Sequence, residues 1–465
     1  MKTAKMFAIL IIIFTLVFCS ISFMIMLAHM RPDRTRVAII GGGLCGLIAT
    51  KHLGSKPQKF DLTVFERNRE VGGMWVYTEL TGLDSYGLPV HSGLYKNLKT
   101  NVPKEIMTMP DFPFPKVTGP SYVHHSVIKK YLQNYTRHFG LYRHIKLNTL
   151  VTYVEPNTSW RGKTTYRVSH KNLLTDTVES SDFDAVIISN GHLTIGKIPE
   201  INGSDTFPGT AIHSHDYRHP EYYSGRTVCI LGLGESGFDI AFDLSPHVTK
   251  IYLSHNKGDV TLQMPKNIEL RAGLISINGN TLTFDDDTTA EVDDIIYCTG
   301  YKFTYPFLSD RIELSTADNH VEPLYKHLIH TEMPNLFFMG LPDTSFNIPL
   351  AYIQSQYIMG LLEGRLELPS PMEMRTNMLE EKLKLLDDGF PVRYILKFLN
   401  DGWKYYDGLA ALAKVPAFPV VLKKIFNHMM LMVAVNLQTF KNYRYEIVNP
   451  KKFRVQYISP VKSRQ

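Results

Sequence analysis

Three observations predict an α/β chain built on two Rossmann-like units. Two apolar runs, Val37–Ile40 and Arg226–Leu231, each lead directly into a glycine-rich turn and then a helix-like stretch. Both turns have the spacing G-x-G-x-x-G, at Gly41–Gly46 and Gly232–Gly237. The strand Asp61–Phe65 ends in Glu66, about 20 residues beyond the first turn, where a βαβ unit places the acid that holds a ribose hydroxyl.

At 465 residues the chain is long for one hydrophobic core and fits two or three domains. Its 50 basic and 44 acidic side chains leave a formal charge of +6, and no long basic run is interleaved with aromatics. Nucleic acid is therefore not an expected partner. Cys19, Cys45, Cys229 and Cys298 lack C-x-x-C spacing, so no disulfide framework, dithiol or metal site is expected.

Residues 1–30 read as a separate element. No charge falls between Met6 and Ala28, while Lys2, Lys5, Arg31, Arg34 and Arg36 flank the run. As a helix it would reach ~35 Å, against ~30 Å of bilayer hydrocarbon. It is either an uncleaved membrane anchor or a signal peptide with its apolar core at Phe7–Phe18. Charges on both sides leave the orientation open. Sequons at Asn134, Asn157 and Asn202 favour secretion or the endoplasmic reticulum lumen or membrane. Membrane contact is expected only through this segment, if it is uncleaved.

In the first unit Gly41 allows the tight turn, Gly43 close approach of a pyrophosphate, and Gly46 close helix–strand packing. The helix N-terminus then offers free N–H groups and a partial positive charge to the phosphates. Gly232, Gly234 and Gly237 repeat this logic before the helical stretch Phe238–Leu244. About 18 residues further, Ile251–Ser254 leads into His255, Asn256, Lys257 and Gly258.

Between the two fingerprints stands F-x-G-x-x-x-H-x-x-x-Y, carried by Phe207, Gly209, His213 and Tyr217. Together these motifs resemble the flavin-containing monooxygenases, class B flavoprotein monooxygenases. The resemblance covers nearly all of residues 35–450 and implies FAD in the first unit and NADPH in the second. The NADPH-binding domain, 204–328, would be inserted in an FAD-binding domain of 35–203 and 329–465, the last part including the C-terminal segment. Matched positions on the FAD side are Gly41, Gly43, Leu44, Cys45, Gly46, Glu66, Met74, Trp75, Thr100, Asn101, Val102 and Gln354. On the NADP side they are Gly232, Gly234, Glu235, Ser236, Gly237, Asp239, Ser254 and Lys257.

The implied chemistry is hydride transfer to FAD, dioxygen addition to form a C4a-hydroperoxyflavin, and oxygen transfer to a soft nucleophile. Substrates would be small tertiary amines and thioethers, yielding N-oxides and S-oxides. Asn101 is the candidate catalytic residue, an uncharged amide placed to hydrogen-bond the bound oxygens while water is excluded. His213 is expected to order the linker rather than carry protons. Tyr217 stands where relatives that insert oxygen beside ketones usually carry tryptophan, which points to nitrogen or sulfur oxidation. Asn256 replaces an arginine that pairs with the 2′-phosphate in NADPH users; it offers no charge, so Lys257 or His255 would have to compensate, and NADH use stays open. Leader and core together resemble the insect senecionine N-oxygenase branch, which detoxifies plant alkaloids. An oxidase releasing peroxide, a Baeyer–Villiger enzyme and a non-catalytic secreted flavin-binding protein stand as alternatives.

Overall fold

The computed structural model describes residues 34–115, 119–158, 164–258, 262–343, 346–397 and 402–459. The N-terminal segment read as a leader lies outside the described residues, and so does Cys19.

The chain opens with β1 (Thr35–Ile40), α1 (Leu44–Gly54) and β2 (Phe60–Phe65), followed after a long excursion by α2 (His125–His138) and the short β3 (Ile145–Lys146). A meander of β4 (Thr149–Thr158), β5 (Thr164–Asn172) and β6 (Val178–Phe183) leads to β7 (Ala185–Ile188) and β8 (Ile195–Gly196). Val37–Ile40 and Ala185–Ile188 are buried throughout, as befits central parallel strands covered on both faces. Alternation divides their side chains: Val37 and Ile39 pack in the core around α1, Ala38 and Ile40 in the core under the meander.

The second unit starts in the linker. Its strands are β9 (Thr210–His213), β10 (Thr227–Leu231), β11 (Lys250–Ser254) and β12 (Ile268–Arg271), with α3 (Glu235–Leu244) after β10. A three-stranded flap, β13 (Leu274–Asn278), β14 (Thr281–Phe284) and β15 (Thr289–Glu291), precedes β16 (Asp294–Tyr297). The sheet order is β12-β11-β10-β16-β9, parallel throughout, so the motif read as a linker also supplies an edge strand.

The strand β17 (Tyr301–Lys302) pairs antiparallel with β8, tying the two crossings between units into one ribbon. The chain then returns through β18 (Leu324–Tyr325), β19 (Ile329–His330) and β20 (Leu336–Phe338), completing a seven-stranded sheet ordered β18-β19-β20-β7-β1-β2-β3. The return thus precedes residue 329: Phe303, Ile312 and Val321 already lie in the first unit's core, because β4 recruits this loop through a bond from Val154 N–H to Phe307 O. The remaining helices, α4 (Asn347–Leu362), α5 (Pro371–Asp387), α6 (Gly402–Ala413) and α7 (Val420–Val435), precede a terminal hairpin of β21 (Tyr443–Asn449) and β22 (Lys452–Tyr457). The apolar stretch in α7 buries Val421, Leu422, Ile425 and Met429. Among the described residues no helix is long and apolar enough to cross a membrane, and no metal-holding cluster occurs.

Candidate active site between two dinucleotide folds

Both glycine turns have the same backbone. Gly41 and Gly232 adopt φ of +110° and +109°, a left-handed conformation in which a Cβ would stand 2.4 Å from a carbonyl oxygen, of Ser189 and Cys298 respectively. Gly46 and Gly237 sit where a Cβ would lie 1.9 and 1.8 Å from the oxygens of those same turn glycines. Gly43 and Gly234 are the N-caps of α1 and α3, and neither helix has a side-chain cap. The first-turn N–H groups of Leu44, Cys45 and Gly46, and of Glu235, Ser236 and Gly237, are therefore available to an anion at the positive end of the dipole. Space for one exists above Gly234, where nothing lies within 4 Å of the Cβ position.

Glu66 is buried at the end of β2. Its carboxylate accepts the Gly42 N–H at 2.7 Å and the Asn68 N–H at 2.8 Å, which fixes it beside the turn, while desolvation raises its pKa. Met74 and Trp75 lie in the short 3-10 turn Gly73–Trp75, and the Met74 carbonyl accepts the Ser92 hydroxyl at 2.6 Å. Trp75 packs against the main core. Gln354, fully buried on α4, accepts the Gly340 N–H at 3.0 Å, and Gly340 in turn packs on the Cys45 sulfur. Gln354 is thereby brought to the first turn of α1. Burial pushes the Cys45 thiol up to about 12, so it stays neutral.

Thr100 is buried and accepts the Val123 N–H at 3.2 Å, and Val102 packs on the core. Asn101 between them faces Glu235 of the second unit, and its amide works against the desolvation that raises the pKa of that carboxyl. The Asn101 Oδ1 is buried without a protein partner, an acceptor left over at the junction of the two units. Glu235 is open to the cleft, yet desolvation and the neighbouring Asp343 raise its pKa. A buried acceptor at the junction and two uncapped helix starts fit a flavin in the first unit with a nicotinamide dinucleotide opposite.

On the second unit Ser254 is buried and donates to the Ala272 carbonyl at 2.7 Å. Lys257 is exposed, and its ammonium donates to the Leu233 carbonyl at 2.6 Å, over the glycine turn. The exposed Asn256 stands against Gly273. Asp239, read from the sequence as a cofactor contact, is engaged by Tyr95 of the first unit and by Lys441 near the C-terminus.

The linker motif is held just as closely. His213 donates from Nε2 to the Gly300 carbonyl at 2.9 Å and accepts the His215 N–H at Nδ1, 3.1 Å. Both ring nitrogens are committed and burial lowers the pKa, so the ring is neutral and has no site for proton transfer. Phe207 packs against the flap core, and Gly209 is required where a Cβ would meet Asp293 O at 2.0 Å. Tyr217 is fully buried and donates to Asp243 of α3 at 2.7 Å, with Asn97 on the other carboxylate oxygen at 3.0 Å.

Arg218, which the motif does not include, is the main joint. It is 3% exposed and places each of its five guanidinium N–H groups on a backbone carbonyl. Nε bonds Thr78 at 2.8 Å, Nη1 bonds His215 and Tyr217 at 2.7 and 2.9 Å, and Nη2 bonds Leu80 and Ser92 at 2.7 and 3.0 Å. Ser92 is the residue whose hydroxyl holds Met74, so the linker is tied to the predicted flavin contact through one side chain. An arginine next to the fingerprint tyrosine is visible in the sequence, but three of its five acceptors, Thr78, Leu80 and Ser92, come from distant segments.

Residues 34–267 and 262–457 match the FMO-like family, described as Flavin-binding monooxygenase-like. The chain belongs to this family. Senecionine N-oxygenase of Tyria jacobaeae is 31% identical over 435 residues, 91% of this chain and 92% of its own. Flavin-containing monooxygenase FMO GS-OX5 of Arabidopsis thaliana is 33% identical over 391 residues, 78% of this chain and 83% of its own. The structure of S-allyl-L-cysteine S-oxygenase from Allium sativum superposes with a TM-score of 0.82 at 29% identity, covering 88% of this chain and 95% of that one. This flavin-binding monooxygenase is thus an oxidoreductase, and membership implies FAD.

Proposed function

We propose that this protein is an NADPH-dependent, FAD-containing monooxygenase that N-oxygenates small tertiary amines and S-oxygenates thioethers. The observation that carries the reading is the meeting of Asn101 and Glu235 across the two units, with the Asn101 Oδ1 buried and unsatisfied. A flavin held by Glu66 and the start of α1 would supply hydride acceptance from the nicotinamide and activation of dioxygen, one oxygen atom going to the substrate and the other leaving as water. This chain's own residues do the rest. The uncapped starts of α1 and α3 hold the two pyrophosphates, and Glu66 holds the adenosine ribose of FAD. Asn101 orients the reacting oxygens without supplying a proton that would release peroxide early. Tyr217 ties the linker to α3, where a tryptophan would lack the hydroxyl that reaches Asp243.

The N-oxygenase and S-oxygenase relatives support the two substrate classes, and the former supports detoxification of plant alkaloids as a role. The apolar segment before residue 31 and the sequons, whose Asn134, Asn157 and Asn202 are all exposed, support delivery to the secretory pathway. A mobility shift of the secreted or membrane fraction on glycosidase treatment is the expected result.

Rapid mixing of the oxidised enzyme with NADPH or NADH in aerated buffer tests the function. We expect faster flavin reduction by NADPH, then an absorbance distinct from oxidised and reduced flavin that persists until a tertiary amine or thioether is added. Immediate reoxidation with stoichiometric hydrogen peroxide would mean an oxidase, and no reduction by either coenzyme a flavin-binding protein.

A further inference from the structure

The helix α5 has two apolar faces, only one of which is used. Met374 and Met378 are buried and Leu385 packs against the core under the meander. On the opposite side Met372, Leu379, Leu383 and Leu386 are exposed by 78%, 50%, 58% and 45%. At 100° per residue these four, with Thr376, fall within an arc of about 80°. The helix is defined from its first turn: Ser370 and Glu373 form a capping box, and Pro371 stands at N1. Its spacing is that of a coiled-coil seam, with Met372, Leu379 and Leu386 at d positions and Thr376 and Leu383 at a positions. A solvated helix face has no need of four large apolar side chains in that register.

The charges beside the seam identify its partner. In this heptad Arg375 and Lys382 are g positions, and Glu380 and Asp387 are e positions. Two parallel helices bring g of one chain to e of the next heptad on the other. A second copy of α5 would therefore set Arg375 against the partner's Glu380 and Lys382 against the partner's Asp387, each pair occurring twice about the two-fold axis. Antiparallel packing would place the acidic flank against itself and the basic flank against itself, which is repulsive. Arg375 and Lys382 at present reach Glu332 (2.8 Å) and Glu322 (3.1 Å) of their own chain; both pairs are part-exposed, so neither holds its lysine or arginine tightly.

We propose that α5 is a self-association surface through which two copies of this chain pair as a parallel, two-stranded coiled coil. The surface is the face of α5 turned away from the first unit's core, and it includes none of the residues placed at the cleft between the units.

Sedimentation of the full-length chain from about 1 to 100 µM tests this, with flavin content and thermal midpoint as controls for folding. We expect reversible formation of a species of twice the chain mass. Leu379→Glu with Leu383→Glu should abolish it without loss of flavin, the side chains being on the surface. Arg375→Glu should weaken it by about tenfold. Arg375→Glu combined with Glu380→Arg should restore it, because the swapped charges meet again only between parallel chains. A Glu332→Gln variant should associate as the wild type does. The proposal is overturned if the wild type is monomeric throughout, if the seam variant still associates, or if the swap does not rescue.

Discussion

Asn101 and Glu235 bring the two units together at the cleft. Asn101→Ala removes both the amide facing Glu235 and the buried Oδ1. We expect retained FAD but roughly tenfold less oxide formed per peroxide released, measured by product chromatography alongside a peroxide assay. Glu235 has a further consequence for stability. Its pKa is raised above the ordinary 4.5, so the folded form binds a proton more tightly than the unfolded chain does. The stability linked to it is present below pH ~4.5 and is lost as pH rises through the folded value. Glu235→Gln should therefore raise the thermal midpoint at pH 8 and change it little at pH 4; equal effects at both would contradict the assignment. Lys257 is the cation placed over the glycine turn where Asn256 supplies none. Lys257→Ala should raise KM for NADPH by about tenfold and leave KM for NADH nearly unchanged.

At the scale of elements, the two units are joined by side chains from the linker and α3 as well as by apolar packing of Phe238, Phe242 and Met264 on the first unit's core. Arg218 satisfies five carbonyls, and Asp216 and His219 of the same segment reach the Gly82 N–H (3.2 Å) and Glu79 (2.6 Å). A buried cation held only by carbonyl dipoles cannot be shortened without stranding acceptors. Arg218→Met should cost about 3–5 kcal/mol, seen in denaturant midpoints. Arg218→Lys, with three donors for five carbonyls, should fall between and show weaker FAD binding through the path Arg218–Ser92–Met74. An unaltered flavin affinity in a destabilised lysine variant would reduce Arg218 to a packing role. Tyr217→Phe deletes one bond to Asp243 and should cost only about 1–2 kcal/mol.

Across the whole molecule, the two crossings between units pair with each other as β8 and β17, and Lys441 from beyond α7 closes on Asp239 of α3. The C-terminal segment is thereby recruited to the inter-unit joint, although its sequence carries no motif. Lys441→Ala should leave both sheets folded yet loosen the nicotinamide unit. The expected signature is faster amide exchange in α3 with little change in β1 or β7, followed by mass spectrometry.

The sequence by itself determined the two dinucleotide units, because a turn needing left-handed glycine, a buried strand and a helix start are local and recur with fixed spacing. Gly41, Gly43 and Gly46, their counterparts at Gly232, Gly234 and Gly237, and the place of Glu66 at the end of β2 were legible for that reason, as was the F-x-G-x-x-x-H-x-x-x-Y segment. That same segment's role as the edge strand β9 was not, since strand pairing depends on β16, about 80 residues away. Nor was the early return to the first unit, which rests on packing of Phe303 and Val321 under the meander. Tertiary structure alone decided that Asp239 spends its carboxylate on Tyr95 and Lys441, that Arg218 gathers five carbonyls, and that Asn101 faces Glu235. Local steric rules write glycines and strands into a short window of sequence, whereas a hydrogen bond between units exists only once the whole chain has brought its two partners together.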